Sequence, residues 1–125
     1  MANSSFSSSS KNTQIITWIE GDVAYNIIKK NQKTFFKNWK PKQKIKQMFV
    51  TIRGKSYLRY IIDVGTPIPN YKKKGCDYPV EHIYEINPPL PMLQYGIFVP
   101  GKYTYCDAYP TWGIIKEKIS TKQLY

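Results

Sequence analysis

Residues 48–64 read MFVTIRGKSYLRYIIDV, and this stretch decides the fold. Its two halves, residues 48–53 and 57–64, are rich in the β-branched and aromatic residues that favour strands. Gly54 and Lys55 lie between the halves, and a glycine there is typical of a tight turn between antiparallel strands. The stretch therefore predicts a β-hairpin, and we expect the rest of a sheet to form around it.

Before the hairpin, the pattern predicts a strand and then a helix. Residues 15–19 form a short apolar run of strand type. Asp22 is a good N-cap for a helix over residues 23–30, whose apolar side chains share one face. Two lysines at its end favour the helix C-terminus, and Asn31 is expected to stop it.

After the hairpin, short segments alternate with proline and glycine. Residues 80–86 predict a long strand that three prolines, Pro88, Pro89 and Pro91, are expected to end. Residues 96–99 and 103–105 predict further strands, while residues 111–119 fit a strand or a short helix. Together these segments predict an α+β fold: a small, mostly antiparallel β-barrel or curled sheet with one or two short helices.

The length of 125 residues fits one domain. Residues 1–12 are a Ser-rich polar stretch that has no means of burying itself, so we expect a disordered tail. Residues 13–125 are then a single basic, β-rich domain. No apolar run approaches the roughly 20 residues that cross a bilayer, and no secretory signal is evident. The sequence predicts an intracellular protein, cytoplasmic or nuclear, without a membrane partner.

The charge balance is strongly positive, because 19 Lys and Arg stand against 8 Asp and Glu and give a net charge of +11. Such an excess usually accompanies an anionic partner, and lysine in particular suits phosphates. An AT-rich genome also inflates Lys, Asn, Ile and Tyr, and this explanation of the charge stays open. Between residues 23 and 62 the chain has no acid and 11 cations: Lys29, Lys30, Lys33, Lys37, Lys40, Lys42, Lys44, Lys46, Arg53, Lys55 and Arg59.

Aromatic residues interleave with these cations, which is the pattern of a surface that neutralises phosphates and stacks on bases. Trp39, flanked by lysines and Pro41, is the candidate for an exposed ring, and Phe36 is a second. The sequence therefore predicts a nucleic-acid-binding module, for RNA first and single-stranded DNA second. Its candidate binding residues are Lys29, Lys30, Lys33, Lys37, Trp39, Lys40, Lys42, Arg53 and Lys55.

Signals for catalysis are few, so we assign no catalytic residue, metal ligand or cofactor. His82 is the only histidine, and it needs a carboxylate such as Asp63 or Glu85 beside it to act in catalysis. Cys76 and Cys106 are 30 positions apart, which favours two free thiols over a disulfide, and Cys106 is expected to be packed. Whether the chain is an enzyme stays open, with a binding module favoured.

Part of the chain resembles a known family. The helix at residues 23–30, the turn Asn31-Gln32-Lys33-Thr34 and the extended basic segment after it resemble the opening of ASCH and EVE domains, small β-barrels of the PUA-like superfamily. There a short helix precedes a Gly-Lys-Thr-like turn, and Lys33-Thr34 matches that motif. The hairpin around Gly54 and the strand that runs into a proline-rich turn at residues 83–91 are also similar in layout.

The resemblance implies a pocket between helix and barrel that accepts a nucleobase, often a modified one, on RNA or DNA. Some ASCH relatives hydrolyse modified nucleosides with a Lys in this turn, a Thr and a Glu. Lys33 takes the Lys position, but Phe36 stands where the Thr is expected, and no Glu follows in a matching context. This departure weighs against hydrolysis more than against binding.

Two alternatives to a binding module remain. The chain could be a small nuclease or a modified-nucleoside hydrolase that uses Lys33 with a carboxylate among Asp63, Glu81 and Glu85. It could instead be a viral or phage accessory protein that docks on a protein partner in a nucleoprotein complex.

Overall fold

A computed structural model of the chain describes residues 13–98 and 101–125. The tail predicted at residues 1–12 lies outside the described residues. Within the described ones, the chain forms eight strands and two α-helices: β1 (Gln14–Ile19), α1 (Gly21–Lys30), β2 (Thr34–Lys37), β3 (Gln47–Ile52), β4 (Tyr57–Val64), β5 (Ile68–Asn70), β6 (Gly75–Pro91), β7 (Tyr103–Tyr105), α2 (Trp112–Lys118) and β8 (Thr121–Gln123). The predicted α+β class is confirmed.

The strands form one mixed sheet in the order β2-β6-β4-β3-β1-β7, with β5 and β8 also pairing with β6. The pair β1 and β3 is parallel, and the other pairs in the described part of the chain are antiparallel. β3 and β4 form the predicted hairpin, and Gly54 in its turn has a φ of 86°. Since glycine carries no Cβ, this left-handed conformation costs it little.

The sheet is curled, because its two ends approach each other. The ring of Trp39, just after β2, lies 4.9 Å from the ring of Tyr103 in β7. The ammonium group of Lys37 in β2 donates a hydrogen bond to the carbonyl oxygen of Trp18 in β1. Contacts between the first strand of the sheet and the last two give the half-barrel shape that the sequence predicted.

The long strand β6 corrects one expectation. The prolines at 88, 89 and 91 were expected to end a strand over residues 80–86, but β6 continues to Pro91. Tyr60 pairs with Glu85 and Leu58 with Leu90, so β6 uses five positions where β4 uses two. Between these pairs β6 has residues 86–89 where β4 has Arg59 alone, so β6 bulges by three residues. Pro88 and Pro89 lie in this bulge, where a missing N–H breaks no regular hydrogen bond to β4, and Pro91 lies beyond it, opposite Tyr57.

Both helices pack on the sheet, and each closes a layer of the core. Ala24 and Ile27 of α1 join one buried cluster, while Trp112 and Ile115 of α2 join the other. Residues 111–119, for which a strand or a short helix was expected, therefore contain a helix. For the strand expected at residues 96–99, the described part is not a strand, because a 3-10 helix (Met92–Tyr95) ends at Gly96.

The start of α1 also differs from the prediction. The N-cap is Glu20 rather than Asp22, which lies in the first turn. A carboxylate there is still favourable, because it faces the positive end of the helix dipole. Asn31 ends the helix as predicted, with a φ of 54°. Neither α1 nor any other helix among the described residues is long and apolar enough to cross a membrane.

Candidate nucleic-acid interface

The connection between β2 and β3 borders an open cleft of about 920 Å³, which we call the lysine cleft. Pro41 and Ile45 of this connection are buried, so the residues between and beside them face outward. Its end is fixed to the start of β1, because the N–H groups of Lys46 and Gln47 both donate to the carbonyl oxygen of Thr13. The lining of the cleft includes four exposed lysines: Lys40, Lys42, Lys44 and Lys46.

A row of polar side chains crosses four strands at this cleft. Gln14 in β1 pairs with Gln47 in β3, Gln47 with Asp63 in β4, and Asp63 with His82 in β6. Gln14 Nε2 donates to Gln47 Oε1 at 2.7 Å, and Gln47 Nε2 donates to Asp63 Oδ1 at 2.8 Å. The strand register therefore assembles one hydrogen-bonded polar row that contributes to the wall of the lysine cleft.

Asp63 is the centre of the row's charged end. Its Oδ2 lies 3.3 Å from His82 Nδ1 and accepts a hydrogen bond from the Tyr84 hydroxyl, also at 3.3 Å. The negative charge of Asp63 raises the pKa of Tyr84 above its ordinary value. Half of the His82 side chain is exposed, and because Nδ1 faces Asp63, Nε2 remains for contact with a bound molecule.

The cleft keeps a positive balance. Its four lysines face two carboxylates, those of Asp63 and Glu81. In the described part of the chain, the ion pairs are Arg53–Glu20 and the pair of Asp63 with His82, which is ionic when His82 is protonated. Among these residues, therefore, no carboxylate pairs with the cleft lysines, and their charge is available to an anion.

Two predicted binding residues are in this cleft and two are not at the surface. Lys40 and Lys42 line it, together with Lys44 and Lys46, which were counted among the cations but not among the binding candidates. Lys37 and Trp39, expected to be accessible, have exposed fractions of only 8% and 9%. This expectation is wrong because β2 alternates, and the face that buries Phe35 also buries Lys37.

Lys37 is held inside the curled sheet by aromatic rings and a carbonyl. Its Nζ lies 4.1 Å from the centroid of the Trp18 ring and donates to the Trp18 carbonyl oxygen. Burial lowers the pKa of Lys37 to about 8, and the carboxylate of Glu20 opposes part of this shift. Trp39 packs between Tyr78 and Tyr103, so its ring serves the core.

Arg53 and Lys55 lie at the opposite end of the hairpin strands from the lysine cleft. They follow β3, whose first residue Gln47 lines the cleft. Arg53 Nη1 contacts Glu20 Oε2 at 2.7 Å, so its charge is already paired. The two residues do not join the cleft lysines in one site.

Lys29, Lys30 and Lys33 form a third group around the end of α1. Lys29 lines a groove of about 470 Å³ between α1 and the sheet, which also includes Glu85. The groove lies where the family resemblance predicts a base pocket. Lys33 is exposed, and its Nζ lies 5.1 Å from the centroid of the Tyr125 ring. No described carboxylate forms an ion pair with Lys33, and Asp63 and Glu81 line the lysine cleft instead.

The two cysteines are free and buried. Burial raises the pKa of the Cys106 thiol, so the thiol stays protonated and serves packing, as expected. Across residues 13–98 and 101–125, no group of three or more His, Cys, Asp or Glu is arranged to hold a metal ion.

Gln14 and Gln47 are the site residues that the sequence did not single out. They are 33 positions apart and meet only through the parallel pairing of β1 with β3. The available signal was weak: each glutamine stands immediately before a predicted strand, beside a lysine-rich segment or a polar tail. Such a position is as typical of a solvated strand end as of a site.

No protein-family model matches the chain, and no curated protein sequence matches it. Among solved structures, the fold is similar to that of ASCH from Zymomonas mobilis, with a TM-score of 0.65 and 8% identity over 87% of this chain and 97% of that chain. A crystal structure of a point mutant of the same protein gives a TM-score of 0.65 and 8% identity, covering 88% and 99%. The expected similarity to an ASCH domain is confirmed at the level of the fold.

Proposed function

We propose that the chain binds nucleic acid in the lysine cleft, with single-stranded RNA as the first candidate and single-stranded DNA as the second. One observation carries the proposal: four exposed lysines from one connection line an open cleft of about 920 Å³, and no described carboxylate pairs with them. Lysines bind phosphates as point charges and release condensed counterions, which is the main source of affinity for a nucleic-acid strand.

The polar row supplies groups that suit bases and sugars. The amides of Gln14 and Gln47 bond to each other and to neighbours, yet each NH₂ group has two N–H donors and each carbonyl two lone pairs. Among the described residues, each Nε2 donates one hydrogen bond, so the second N–H of each amide can donate to a ligand. RNA comes first because its 2′-hydroxyl both donates and accepts, and DNA lacks it.

The size of the cleft and its open form leave room for an extended strand. At about 920 Å³, it is at the upper end of the roughly 300–1,000 Å³ typical of ligand pockets. Its lysines lie at alternate sequence positions of one connection, which bends at residues 42 and 43. Such a spacing brings several positive charges to one cleft, where the phosphates of a single strand can bind.

The test is fluorescence anisotropy with labelled single- and double-stranded RNA and DNA at two salt concentrations. The cleft variant combines Lys40→Glu, Lys42→Glu and Lys44→Glu. A control with the same change in charge combines Lys29→Glu, Lys30→Glu and Lys55→Glu at exposed positions outside the cleft. We expect tight, salt-sensitive binding by the unmodified chain, a preference for a single strand, and a larger loss in the cleft variant than in the control.

The salt dependence provides a second readout. Removing three phosphate contacts lowers the slope of log K against log[salt] by about 2, since each contact to a single strand contributes roughly 0.7. Equal losses in the two variants would mean that affinity follows net charge alone and would remove the cleft from the proposal. No binding to any of the four nucleic acids would remove the function itself.

A second candidate function, a small nuclease, is favoured by the pairing of Asp63 with His82 at the same cleft. Asp63 is the carboxylate that His82 requires, and it orients the ring through Nδ1. On RNA, Nε2 of His82 would accept the proton of a 2′-hydroxyl while the 2′-oxygen bonds to phosphorus. The bond from phosphorus to the 5′-oxygen then breaks, which leaves a 2′,3′-cyclic phosphate, and the 5′-oxygen takes up a proton from water.

This second function has a direct test. RNA cleavage should be lost in His82→Asn, although this variant still binds RNA. The unmodified chain should bind but not cleave an oligonucleotide with 2′-deoxyribose at the cleaved position. An unchanged RNA after prolonged incubation, under conditions where binding is measured, would leave the chain as a binding module only.

A further inference from the structure

Beyond the cleft, a second basic element follows the cleft-lining residues 65–67 in the chain. β5 and β6 pair antiparallel through Ile68–Asp77, Pro69–Cys76 and Asn70–Gly75, and residues 71–74 form the turn between them. The turn reads Tyr71-Lys72-Lys73-Lys74, and all four residues are exposed. We call this element the finger.

The tip of the finger presents an aromatic ring that the fold does not use. Tyr71 is 88% exposed, more than any other large hydrophobic residue in the described part of the chain. A tyrosine has a large apolar body that is normally packed against something. An exposed ring among lysines is therefore unusual for a solvated turn, in which the aromatic residue contributes nothing to stability.

The turn is held in one conformation by its flanking residues. Asn70 Oδ1 accepts a hydrogen bond from the Lys73 N–H at 3.2 Å, and Asn70 Nδ2 donates to Asp77 Oδ2 at 3.0 Å. Lys74 closes the turn in the left-handed region, with a φ of 58°. The ring of Tyr71 is thus carried on an ordered turn, and ordering before binding reduces the entropy lost on binding.

The root of the finger is packed against β2. Phe36 lies against Gly75, where an added Cβ would be 2.6 Å from the Phe36 ring. The Nζ of Lys73 lies 5.3 Å from the centroid of the same ring. Phe36, which the sequence suggested as a stacking residue, therefore supports the finger, and Lys72 and Lys74 are the lysines that remain for a ligand.

The finger is continuous with the lysine cleft. Gly65, Thr66 and Pro67 line the cleft, and β5 begins at the next residue, Ile68. Three residues of β-strand span roughly 10 Å, so the tip lies a short distance beyond the cleft wall. A strand that leaves the cleft can reach the tip, where residues 71–74 carry three lysines and no acid. Asp77 lies at the root, where its carboxylate accepts a hydrogen bond from Asn70.

We propose that Tyr71 stacks on an unpaired base of a single-stranded nucleic acid, while Lys72 and Lys74 hold the phosphates on either side of that base. The proposal rests on the function proposed for the lysine cleft and extends it to a second contact with the same strand. Stacking on an aromatic ring tolerates any base, since every base has a π-face. The finger therefore adds affinity and selects single strands over duplexes, without selecting a sequence.

The experiment uses the full chain and a single-stranded RNA with 2-aminopurine at one position, moved along the strand in a series. We expect quenching of 2-aminopurine at one or two positions, lost in Tyr71→Ala and retained in Tyr71→Phe, which keeps the ring. Affinity should fall by on the order of tenfold in Tyr71→Ala, with the salt slope unchanged, because stacking releases no counterions. In Lys72→Gln with Lys74→Gln, the slope should fall by about 1.4.

The control is Tyr57→Ala, which removes a tyrosine of 47% exposure at the other end of β4 and should change neither readout. If Tyr71→Ala binds and quenches like the unmodified chain while the cleft variant binds weakly, the finger proposal is overturned and the cleft function stands. If Tyr71→Ala binds weakly while the cleft variant binds like the unmodified chain, the binding site is the finger, and the function proposed for the lysine cleft is overturned. The finger proposal would also be overturned if Tyr71→Ala weakened binding to anionic lipid vesicles but not binding to RNA. If the unmodified chain bound no RNA, both the finger proposal and the cleft function would be overturned.

Discussion

Lys37 and Trp18 connect the first strand of the curled sheet to one near its other end: the ammonium of Lys37 lies over the Trp18 ring and donates to the Trp18 carbonyl oxygen. The ammonium is almost completely buried, and no carboxylate within the described residues pairs with it directly. A ring face and one carbonyl replace only part of the water that a charged lysine loses. This explains why its pKa is low, about 8.

This relationship predicts how stability depends on pH. The pKa of Lys37 is about 8 in the folded chain and 10.5 as its ordinary value. Between these two pH values the unfolded chain binds more protons, so the free energy of unfolding rises with pH, by up to ~3 kcal/mol from this group. Lys37→Met removes this contribution. The measurement is urea unfolding of both chains at pH 7, 9 and 10.5.

The quantity to compare is the difference in the free energy of unfolding between the two chains. The ionisation of the tyrosines contributes equally to both and cancels in this difference. The advantage of Lys37→Met over the unmodified chain should shrink from pH 8 to 10.5. A difference that stays constant with pH would show that Lys37 keeps its ordinary pKa and reaches solvent.

Asp63→Asn tests the charged end of the polar row. The Asp63 charge is the largest cause of the raised pKa of Tyr84, so the neutral amide should bring that pKa back towards 10.0. Phenol ionisation can be followed by NMR of the tyrosine ring carbons, with Tyr84→Phe to assign the signal. A Tyr84 titration that is the same in both chains would mean that the two side chains are not in contact in solution.

The sequence predicted the parts of the fold that depend on neighbouring residues. The strand Tyr57–Val64 has the predicted bounds, and Asn31 ends α1 as expected. The course of β6 was not predictable, because Pro88 and Pro89 lie in a bulge set by its pairing with β4, and Pro91 resumes the pairing opposite Tyr57. Whether a proline breaks a strand depends on the partner, and the partner is not visible locally.

The sequence predicted that the candidate site is positively charged, but it did not predict which residues meet there. Lys40 and Lys42 were predicted to bind because acids are missing around them, whereas Lys44 and Lys46 were only counted in the same acid-free stretch. The inward direction of Lys37 follows from its register with Phe35 on β2, which local spacing leaves undecided. The meeting of Asp63 with His82 was stated only as a requirement for catalysis, and the pairing of β4 with β6 meets it.

Arg53→Gln tests whether a cation outside the lysine cleft, already paired with a carboxylate, contributes to RNA binding. The Arg53 guanidinium contacts Glu20 at 2.7 Å and lies at the far end of β3, with both side chains about half exposed or more. We expect RNA affinity to stay within about twofold and stability to fall by no more than about 1 kcal/mol, as for exposed ion pairs. Anisotropy and thermal unfolding measure the two quantities. A tenfold loss of affinity would extend the binding surface to that end of the sheet.

Gly75→Ala tests the root of the finger. A Cβ at this position would meet the backbone oxygen of Lys37 and lie 2.6 Å from the Phe36 ring and 2.8 Å from Asn38 Cα. Because two of these contacts are backbone atoms, β2 and β6 must separate, and we expect a loss of about 2–3 kcal/mol in the free energy of unfolding. Urea unfolding measures it.

The matched control for this prediction is Gly113→Ala. An added Cβ at Gly113 meets nothing within 4 Å, and the residue lies inside α2. Alanine there should stabilise the chain by about 0.5–1 kcal/mol, because glycine loses more backbone entropy on entering a helix. If the two substitutions had the same effect, the contact of Gly75 with β2 would not exist in solution. The finger would then lack the packed root that holds Tyr71 in place.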